Sequence, residues 1–265
     1  MSLVVVNAVG MVTVQDRGRP GRMHEAVPPG GALVRELHTA ANRHALNEDG
    51  SPALEVLGEL VVRAIADTLV GSELGARMLR AGDELVIASE PRRVAYLAIR
   101  GGVEAPLVLG GRGTQLSAGL GALVRPGDRI DSAGADELVP FDHEAFDARD
   151  VIRVLAGPDP EAFPADMLAK LTAAAYRVHS SSNRVGTRLE GPAIPRAEHV
   201  RETSRPMVIG AIEIPGDGAP IVLGPEHPTT GGYPILAVIS HADLGAFFAI
   251  RPGGSVRFTR TGSNN

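Results

Sequence analysis

The sequence predicts a mainly β protein that carries a few short helices. Gly (32 residues) and Pro (20 residues) make up about a fifth of the 265-residue chain, against an average of ~12%, and this excess indicates many tight turns. Short Val-rich segments bounded by Gly or Pro recur along the chain and have the composition of strands. Helical periodicity is confined to three segments, which argues against a helical bundle.

The apolar segments between the turns predict short strands, because β-branched residues pack well on a pleated surface. These segments are residues 3–6, 12–15, 60–64, 84–88, 94–99, 152–155, 207–214, 221–223, 235–239 and 255–258.

Three helices are predicted from apolar residues at helical spacing. They cover residues 32–46, 165–176 and 241–250. Pro164 is expected near the first position of the second helix, where its missing N–H costs nothing. Ser240 and Asp243 have the S-x-x-D spacing of a capping box and are expected to begin the third.

A repeated pattern suggests two similar lobes. Arg80, Arg125 and Arg251 each begin a run of a basic residue, a Gly-containing tight turn and a strand. We expect two β-rich domains, residues 1–140 and 150–265, separated by a polar stretch without clear periodicity. An alternative stays open, because Pro-Gly-Asp turns are common in β proteins without any duplication.

Composition excludes several classes of protein. The net charge of −5 and the lack of a basic stripe argue against a nucleic-acid partner. The absence of Cys excludes thiol nucleophiles, iron–sulfur clusters and Cys-based zinc sites. No apolar run reaches the ~18 residues of a membrane span, and residues 2–6 resemble a strand rather than a signal peptide. We therefore expect a cytoplasmic protein that does not contact a membrane.

Common cofactor motifs are also missing. Residues 110–114 are Gly-rich but lack the spacing of a P-loop, and residues 119–121 lack the rest of a dinucleotide fingerprint. The eight His residues are scattered without a ligand spacing, so no metal site is predicted.

A first polar cluster lies between a predicted strand and the first helix. It consists of Gln15, Asp16, Arg19 and His24 on a loop rich in Gly and Pro. Such a loop can hold polar groups at fixed angles over a substrate. The alternative is an Arg–Asp pair that holds an ordinary turn.

A second cluster contains Asn183, Arg184, Gly186 and Arg188. If this segment is extended, Arg184, Gly186 and Arg188 face the same way. Two guanidinium groups on one face can bind a carboxylate or a phosphate. The alternative is a solvated edge strand that carries Arg side chains.

A third cluster combines carboxylates with a Gly-Gly segment. Its candidate catalytic residues are Glu213, Glu226, Thr229, Thr230 and Tyr233, and its candidate substrate-binding residues are Gly231 and Gly232. A turn here can donate several hydrogen bonds to an anion or a developing oxyanion, and Glu213 or Glu226 can serve as general base. The alternative is a tight Gly-Gly turn with a surface Tyr.

Together these motifs resemble the family of the 5-oxoprolinase C-type (PxpC-type) subunits, also called the KipA-type family or allophanate hydrolase subunit 2. The same module forms part of biotin-dependent carboxyltransferases such as urea carboxylase. The resemblance runs nearly end to end. It rests on Q-D-x-G-R-P-G at 15–21, V-P-x-G-G at 27–31, Y-L-A-I-x-G-G at 96–102, L-G-G-R-x-T at 109–114, R-V-L-x-G-P at 153–158, S-N-R-x-G-x-R-L-x-G at 182–191 and T-T-G-G-Y-P at 229–234.

The resemblance implies two cyclophilin-like β-barrel lobes and a composite enzyme. The expected partners are a B-type (KipI-like, PxpB-type) protein and an A-type (PxpA-type) protein of the same complex. The expected reaction opens the lactam of 5-oxo-L-proline to L-glutamate with hydrolysis of ATP. Mg²⁺ is expected to accompany the nucleotide, whose site this sequence does not locate. The chain has no biotin attachment site.

The chain departs from the family pattern at several positions. Asn183 and Glu226 stand where the family has Asp, Glu213 where it has Gln, and Val34 where it has Asp at the start of the first helix. These changes keep two alternatives open. One is a carboxyltransferase or amidohydrolase acting on a urea-like amide, and the other is a regulatory binding module of the KipA type.

Overall fold

The computed structural model describes residues 1–134, 146–198 and 202–261, and its fold is mainly β. The strands are β1 Ser2–Gln15, β2 Ala53–Ala64, β3 Thr68–Ser72, β4 Gly75–Leu79, β5 Glu84–Ala88, β6 Ala95–Ile99, β7 Arg129–Asp131, β8 Val151–Ala156, β9 Ala175–Val178, β10 Gly186–Glu190, β11 Arg205–Pro206, β12 Ala211–Glu213, β13 Ile221–Leu223, β14 Thr230–Gly231, β15 Ile235–Ile239 and β16 Ser255–Arg260. The helices are α1 Arg35–His44, α2 Met167–Ala173 and α3 Leu244–Ala249. The prediction of a mainly β fold with few short helices is thus confirmed.

The described residues form two compact units. The first contains Met1–Arg22 and Pro29–Phe146, and the second contains Met23–Pro28 and Asp147–Asn265. The predicted end of the first domain, at residue 140, lies outside the described residues. In the described part of the chain, no helix is long and apolar enough to cross a membrane.

The first unit is organised around two long antiparallel strands. β1 and β2 pair from Leu3 opposite Ala64 to Gln15 opposite Ala53, and the seven-stranded sheet has the order β4-β3-β6-β2-β1-β7, with β5 also on β2. Gly10 faces Gly58 in this pairing, and a Cβ on Gly58 would lie 2.2 Å from the carbonyl oxygen of Val9. Glycine therefore lets β1 continue where two separate strands were predicted.

The helix α1 packs against β3 and β6 of the first unit. Leu37 and Ala41 lie on its buried face, as the predicted periodicity requires. Gly71 of β3 allows close approach, because a Cβ there would lie 2.2 Å from the carbonyl oxygen of Ala41. The strands β3 and β4 were not predicted.

The second unit is a closed barrel with the strand order β10-β13-β12-β15-β8-β16-β9. The strands β11 and β14 form a separate two-stranded ribbon. Aromatic rings fill part of the barrel, with centroids 6.1 Å apart for Tyr176 and Phe258 and 6.3 Å apart for Phe247 and Phe258. The predicted strand at 207–214 is reduced to β12, and residues 207–210 connect it to the ribbon.

All three helices are shorter than predicted, and the second and third also begin differently. α2 begins at Met167, after Asp166 in a left-handed conformation (φ 67°), so Pro164 lies outside the helix. The predicted capping box at the third helix is wrong, because Ser240 makes no side-chain cap. The Asp243 carboxylate instead accepts hydrogen bonds from Arg149 and Arg153.

The three repeated turns have the same geometry. Gly82, Gly127 and Gly253 have φ between 81° and 93°, as the third position of a type II turn requires. The amide of each Gly donates to a carbonyl of a neighbouring strand, on Ala64, Val5 and Val178 respectively. The sequence repeat therefore corresponds to a repeated structural unit.

Candidate functional site

The first polar cluster holds loops together. Arg19 is buried, and its guanidinium donates to the carbonyl oxygens of Val108 (3.0 Å), Gly113 (2.8 Å) and Gly111 (3.2 Å). The Asp16 carboxylate accepts the amide of Gly18 at 2.7 Å and the amide of Arg112 at 2.6 Å. Asp16 and Arg19 thus each bind backbone groups of the loops, whereas the alternative expected them to pair with each other.

Gln15 belongs to a buried polar network that was not predicted from the sequence. Its side-chain amide donates to the carbonyl of Thr114 at 2.9 Å, and its own backbone carbonyl lies 3.1 Å from His38 Nε2. Burial lowers the pKa of His38, so that its ring is neutral near pH 7. His24, in contrast, lies in the second unit, and its exposed ring is 3.4 Å from Glu25.

Val34 lies just before α1, at the position where an Asp was expected from the resemblance. The backbone amides at this start of the helix nevertheless have hydrogen-bond partners. The amide of Leu33 donates to Glu55 at 2.7 Å, and the amide of Val34 donates to the hydroxyl of Tyr96 at 3.0 Å. Tyr96 in turn donates to Glu55 at 2.7 Å. Side chains distant in sequence thus replace the local cap that an Asp at position 34 would supply.

The second cluster does not form a two-arginine clamp. The side chain of Asn183 accepts the amides of Val185 at 2.9 Å and Gly186 at 3.1 Å, which turns the chain before β10 begins. Arg184 is consequently buried before the strand, whereas Arg188 is exposed on it. The predicted common face of these two guanidinium groups is therefore wrong.

Arg184 instead pairs with Glu226. Its Nε lies 2.7 Å from Glu226 Oε1, and the two side chains are 4% and 8% exposed. The backbone supports the pair, since the amide of Glu226 donates to the carbonyl of Arg184 at 3.0 Å. Two predicted site residues are thus brought together, as partners of one another.

The middle of the T-T-G-G-Y segment, Thr230–Gly231, is a strand rather than a tight turn. In the ribbon, Arg205 lies opposite Gly231 and Pro206 lies opposite Thr230. The carbonyl of Thr229 accepts the amide of Met207 at 3.2 Å. The expected array of turn amides is therefore absent from Thr230 and Gly231, which are strand residues here. Gly232 and the 42%-exposed Tyr233 follow directly after the strand.

Glu213 is brought to this ribbon from the barrel strand β12. A Cβ on Gly231 would lie 3.3 Å from Glu213 Oε1, so the carboxyl group lies beside the Gly-Gly segment. Glu213 is 8% exposed. Burial raises its pKa to about 7, although the positive charge of Arg205 acts in the opposite direction. A carboxyl group with this pKa can donate or accept a proton near neutral pH.

Two residues that were not predicted from the sequence complete this site. Arg205 donates to both carboxylate oxygens of Asp159, at 2.5 Å from Nη1 to Oδ1 and in a shorter contact from Nη2 to Oδ2. The amide of Ile235 donates to Asp159 Oδ2 at 2.7 Å. No local spacing connects positions 159 and 205, so the sequence offered no signal for this pair.

His227, which adjoins Glu226, is also buried. Its Nδ1 lies 2.7 Å from the carbonyl oxygen of Pro228, and among the described residues its Nε2 has no hydrogen-bond partner. Burial lowers the pKa of His227, so the ring is a neutral histidine with Nδ1 protonated.

Two features bear on nucleotide and metal binding, namely the Gly-rich loop at residues 110–114 and the placement of acidic and His side chains. The Gly-rich loop packs on its own chain, because a Cβ on Gly111 would lie 2.9 Å from the carbonyl of Gly18 and one on Gly113 would lie 2.7 Å from Asp16. Within the described ranges, no group of three acidic or His side chains is placed to bind a metal ion. We therefore derive no chemical step through ATP or Mg²⁺ on this chain.

Comparison with known proteins places the chain in a family. The family model described as carboxyltransferase domain, subdomain A and B, matches residues 25–260. The C subunit of 5-oxoprolinase from Escherichia coli (strain K12) is 30% identical, over 97% of this chain and 91% of that protein.

Solved structures with the same fold include longer chains. The urea amidolyase of K. lactis superimposes with a TM-score of 0.87 at 25% identity, over 98% of this chain and 19% of that one. The protein TTHA0988 superimposes with a TM-score of 0.84 at 27% identity, over 97% of this chain and 55% of that one. The chain thus spans about half the length of TTHA0988. From the family match over most of its length and from its full-length relative, the chain belongs to the carboxyltransferase domain family (subdomains A and B) and is a homologue of the 5-oxoprolinase C subunit.

Proposed function

We propose that this protein is one component of an ATP-dependent 5-oxoprolinase complex that converts 5-oxo-L-proline to L-glutamate. The observation that supports this proposal most strongly is the 30% identity to the Escherichia coli C subunit over 97% of this chain and 91% of that protein. The relative's name makes it part of a multi-subunit enzyme, so we expect this chain to act only with its B-type and A-type partners.

The site in the second unit has chemistry that suits an amide substrate. Glu213 is partly shielded from water, has a pKa of about 7 and lies beside the ribbon that carries Thr230 and Gly231. Opening a lactam requires proton transfer at the ring nitrogen or at the carbonyl oxygen, and a carboxyl group that titrates near pH 7 serves this need. We assign Glu213 as the acid–base candidate, since Glu226 is held by Arg184.

In this proposal, ATP is bound by the partner proteins. The Gly-rich loop of this chain packs against Gly18 and Asp16 and leaves no phosphate cradle there. We expect the purified chain to bind ATP only in complex with its partners, which equilibrium dialysis with labelled ATP measures directly.

The test is a coupled assay on the reconstituted complex. The chain is co-expressed with the proteins encoded next to it, and release of ADP and glutamate is followed while 5-oxo-L-proline is titrated. We expect the two products in equal amounts and a loss of at least about 100-fold in kcat for Glu213→Ala, the size typical of a lost acid–base group. Glu190→Ala, on the exposed face of β10, is the matched control. A stable complex without turnover would contradict the proposal and favour a regulatory binding role.

A second candidate function is transfer of a carboxyl group to a urea-like amide. The family description and the likeness to a urea amidolyase support it. This reaction needs biotin carried by another protein, because the chain has no attachment site. Incorporation of labelled bicarbonate into urea by the co-purified complex, inhibited by avidin, would select this function over the first.

A further inference from the structure

A buried polar site beside the ribbon contains three charged or titratable side chains. Glu213 comes from β12, Arg205 from β11, and Asp159 from the segment after β8. Asp159 and Glu213 are each 8% exposed. All three lie in the second unit, and Gly231 lies opposite Arg205 and next to the Glu213 carboxyl group.

Asp159 fixes both the position and the charge balance of Arg205. The two terminal nitrogens of the guanidinium contact the two carboxylate oxygens, which is the strong bidentate arrangement. The Ile235 amide holds the same carboxylate from the barrel side at 2.7 Å. Burial acts to raise the pKa of Asp159, but these hydrogen bonds outweigh it and lower the pKa, so Asp159 is ionised and compensates Arg205.

Two polar groups of the site have no hydrogen-bond partner among the described residues. Within the described ranges, Arg205 Nε is buried without a hydrogen-bond partner. In the same part of the chain, the Glu213 carboxyl group makes no hydrogen bond, and Arg205 is the one charged group that acts on it. Buried polar groups of this kind normally have partners, so the site is suited to a ligand that supplies them.

We propose that Glu213 binds the amide edge of the substrate as a neutral carboxylic acid, and that Asp159 is a positioning residue that compensates the charge of Arg205 beside it. An amide whose N–H and C=O lie on the same side, as in a lactam or a urea, offers one donor and one acceptor. A neutral carboxylic acid offers the complementary pair, whereas a carboxylate only accepts. This inference rests on the proposed function, because it names the group of the amide substrate that this site recognises.

The charge arrangement explains why Glu213 is protonated below about pH 7. Its pKa is raised to about 7 mainly by burial. A free Arg205 would stabilise the carboxylate, but Asp159 already neutralises the guanidinium, and Glu161 adds a further negative charge near Arg205. A glutamine at position 213 would offer the same donor and acceptor at every pH.

The first experiment measures protonation directly in the full chain. Glutamate carboxyl carbons are labelled with ¹³C, the Glu213 signal is assigned from its loss in Glu213→Gln, and its chemical shift is followed from pH 4 to 9. We expect a midpoint near 7 in the parent protein and a clearly lower midpoint in Asp159→Asn, where Arg205 is released. Asp49→Asn removes a similar bidentate pair with Arg43 in the other unit and should leave the midpoint in place.

The second experiment measures activity of the reconstituted complex as a function of pH. Glu213→Ala should lose turnover and affinity for 5-oxo-L-proline. Glu213→Gln should recover the affinity, without its decline above pH 7, but not the turnover, because an amide cannot transfer the proton. A Glu213→Gln variant that folds normally but binds 5-oxo-L-proline as weakly as Glu213→Ala would overturn the proposal, because the donor and acceptor of the amide would then not replace those of the neutral acid. A midpoint for Glu213 below 5 would overturn it as well. A parent complex without turnover at any pH would refute the proposed function instead, and the titration would still report on Asp159 and Arg205.

Discussion

At the scale of single residues, Arg184 and Glu226 are residues of the sequence motifs that stabilise the fold by pairing with each other. Both are almost fully buried, and each is the charge partner of the other. An ion pair in such a place contributes little net stability over an apolar pair, but removing one member leaves an uncompensated buried charge. This explains why two predicted substrate-binding and catalytic residues contact one another.

We predict that Arg184→Met lowers the free energy of unfolding by about 3–5 kcal/mol, the usual cost of half a buried pair. The matched control is Arg63→Met, which breaks a pair with Glu84 whose side chains are 50% and 47% exposed and should cost at most about 1 kcal/mol. Urea denaturation followed by circular dichroism measures both. Equal losses in the two variants would contradict the structural role of the buried pair.

Glu213 gives a prediction for the pH dependence of stability. Because its pKa is higher in the folded protein than in the unfolded chain, its protonation stabilises the fold at low pH, and this stabilisation is lost as the pH rises from about 4.5 to about 7. We expect Glu213→Gln to be more stable than the parent at pH 8, by up to about 3 kcal/mol at 1.36 kcal/mol per pKa unit, and nearly equal at pH 4. Thermal unfolding at both pH values measures the difference, and a pH-independent difference would contradict it.

Asp243 behaves in the opposite way. Burial acts to raise its pKa, but hydrogen bonds from Arg153 and Arg149 outweigh that effect and lower the pKa to about 2. Its contribution is therefore present above pH ~4, the unfolded value, and is lost as the pH falls toward 2. We predict that Asp243→Asn weakens the dependence of the melting temperature on pH between 4 and 2, as scanning calorimetry would show.

At the scale of elements, the turns and the pairing of β1 with β2 require glycine for different reasons. Gly127 needs its positive φ of 93°, but nothing lies within 4 Å of a Cβ placed on it. Gly58 needs both its φ of 133° and the space, because a Cβ would lie 2.2 Å from a carbonyl oxygen of β1. Gly127 is thus required only for its backbone conformation. Gly58 is required for its backbone conformation and also because a side chain would not fit there.

We predict that Gly127→Ala costs about 1 kcal/mol, which is the cost of a left-handed backbone for an L residue. Gly58→Ala should cost more, because the backbone of β1 must also move. Both free energies come from chemical denaturation of the single variants. A larger loss for Gly127→Ala than for Gly58→Ala would contradict the assignment of the steric role.

At the scale of the whole molecule, the two units each have their own buried core. Leu54 and Leu97 belong to the cluster of the first unit, and Tyr176 and Phe258 pack inside the barrel of the second. A chain with two such units does not have to unfold in one cooperative step. We expect calorimetry to resolve two transitions, with Gly58→Ala lowering one and Arg184→Met lowering the other; both variants lowering the same transition would contradict this.

The sequence determined which segments become strands and helices. Apolar periodicity and turn residues placed α1, five of the seven barrel strands (β8, β12, β13, β15 and β16) and all three Arg-turn-strand units close to where they lie, because these signals are local. Strand β10 was expected only on condition that its segment is extended, and β9 begins inside the segment predicted as the second helix. The joined strand β1, the pair β3 and β4, and the start of α2 were missed. They depend on the contacts of Gly10 with Gly58, of Gly71 with α1, and on the left-handed Asp166, none of which local composition encodes.

The family and the candidate role of Glu213 were also predicted from the sequence, whereas Asp159 and Arg205 were not. The tertiary structure alone decided what those residues contact: Arg184 lies against Glu226 instead of beside Arg188, and Glu213 lies beside Gly231 under the influence of Arg205 and Asp159. The physical reason is that charge and protonation depend on burial and on partners distant in the chain. The Asp159–Arg205 pair joins residues 46 positions apart, and only the closure of the barrel and its ribbon brings them together.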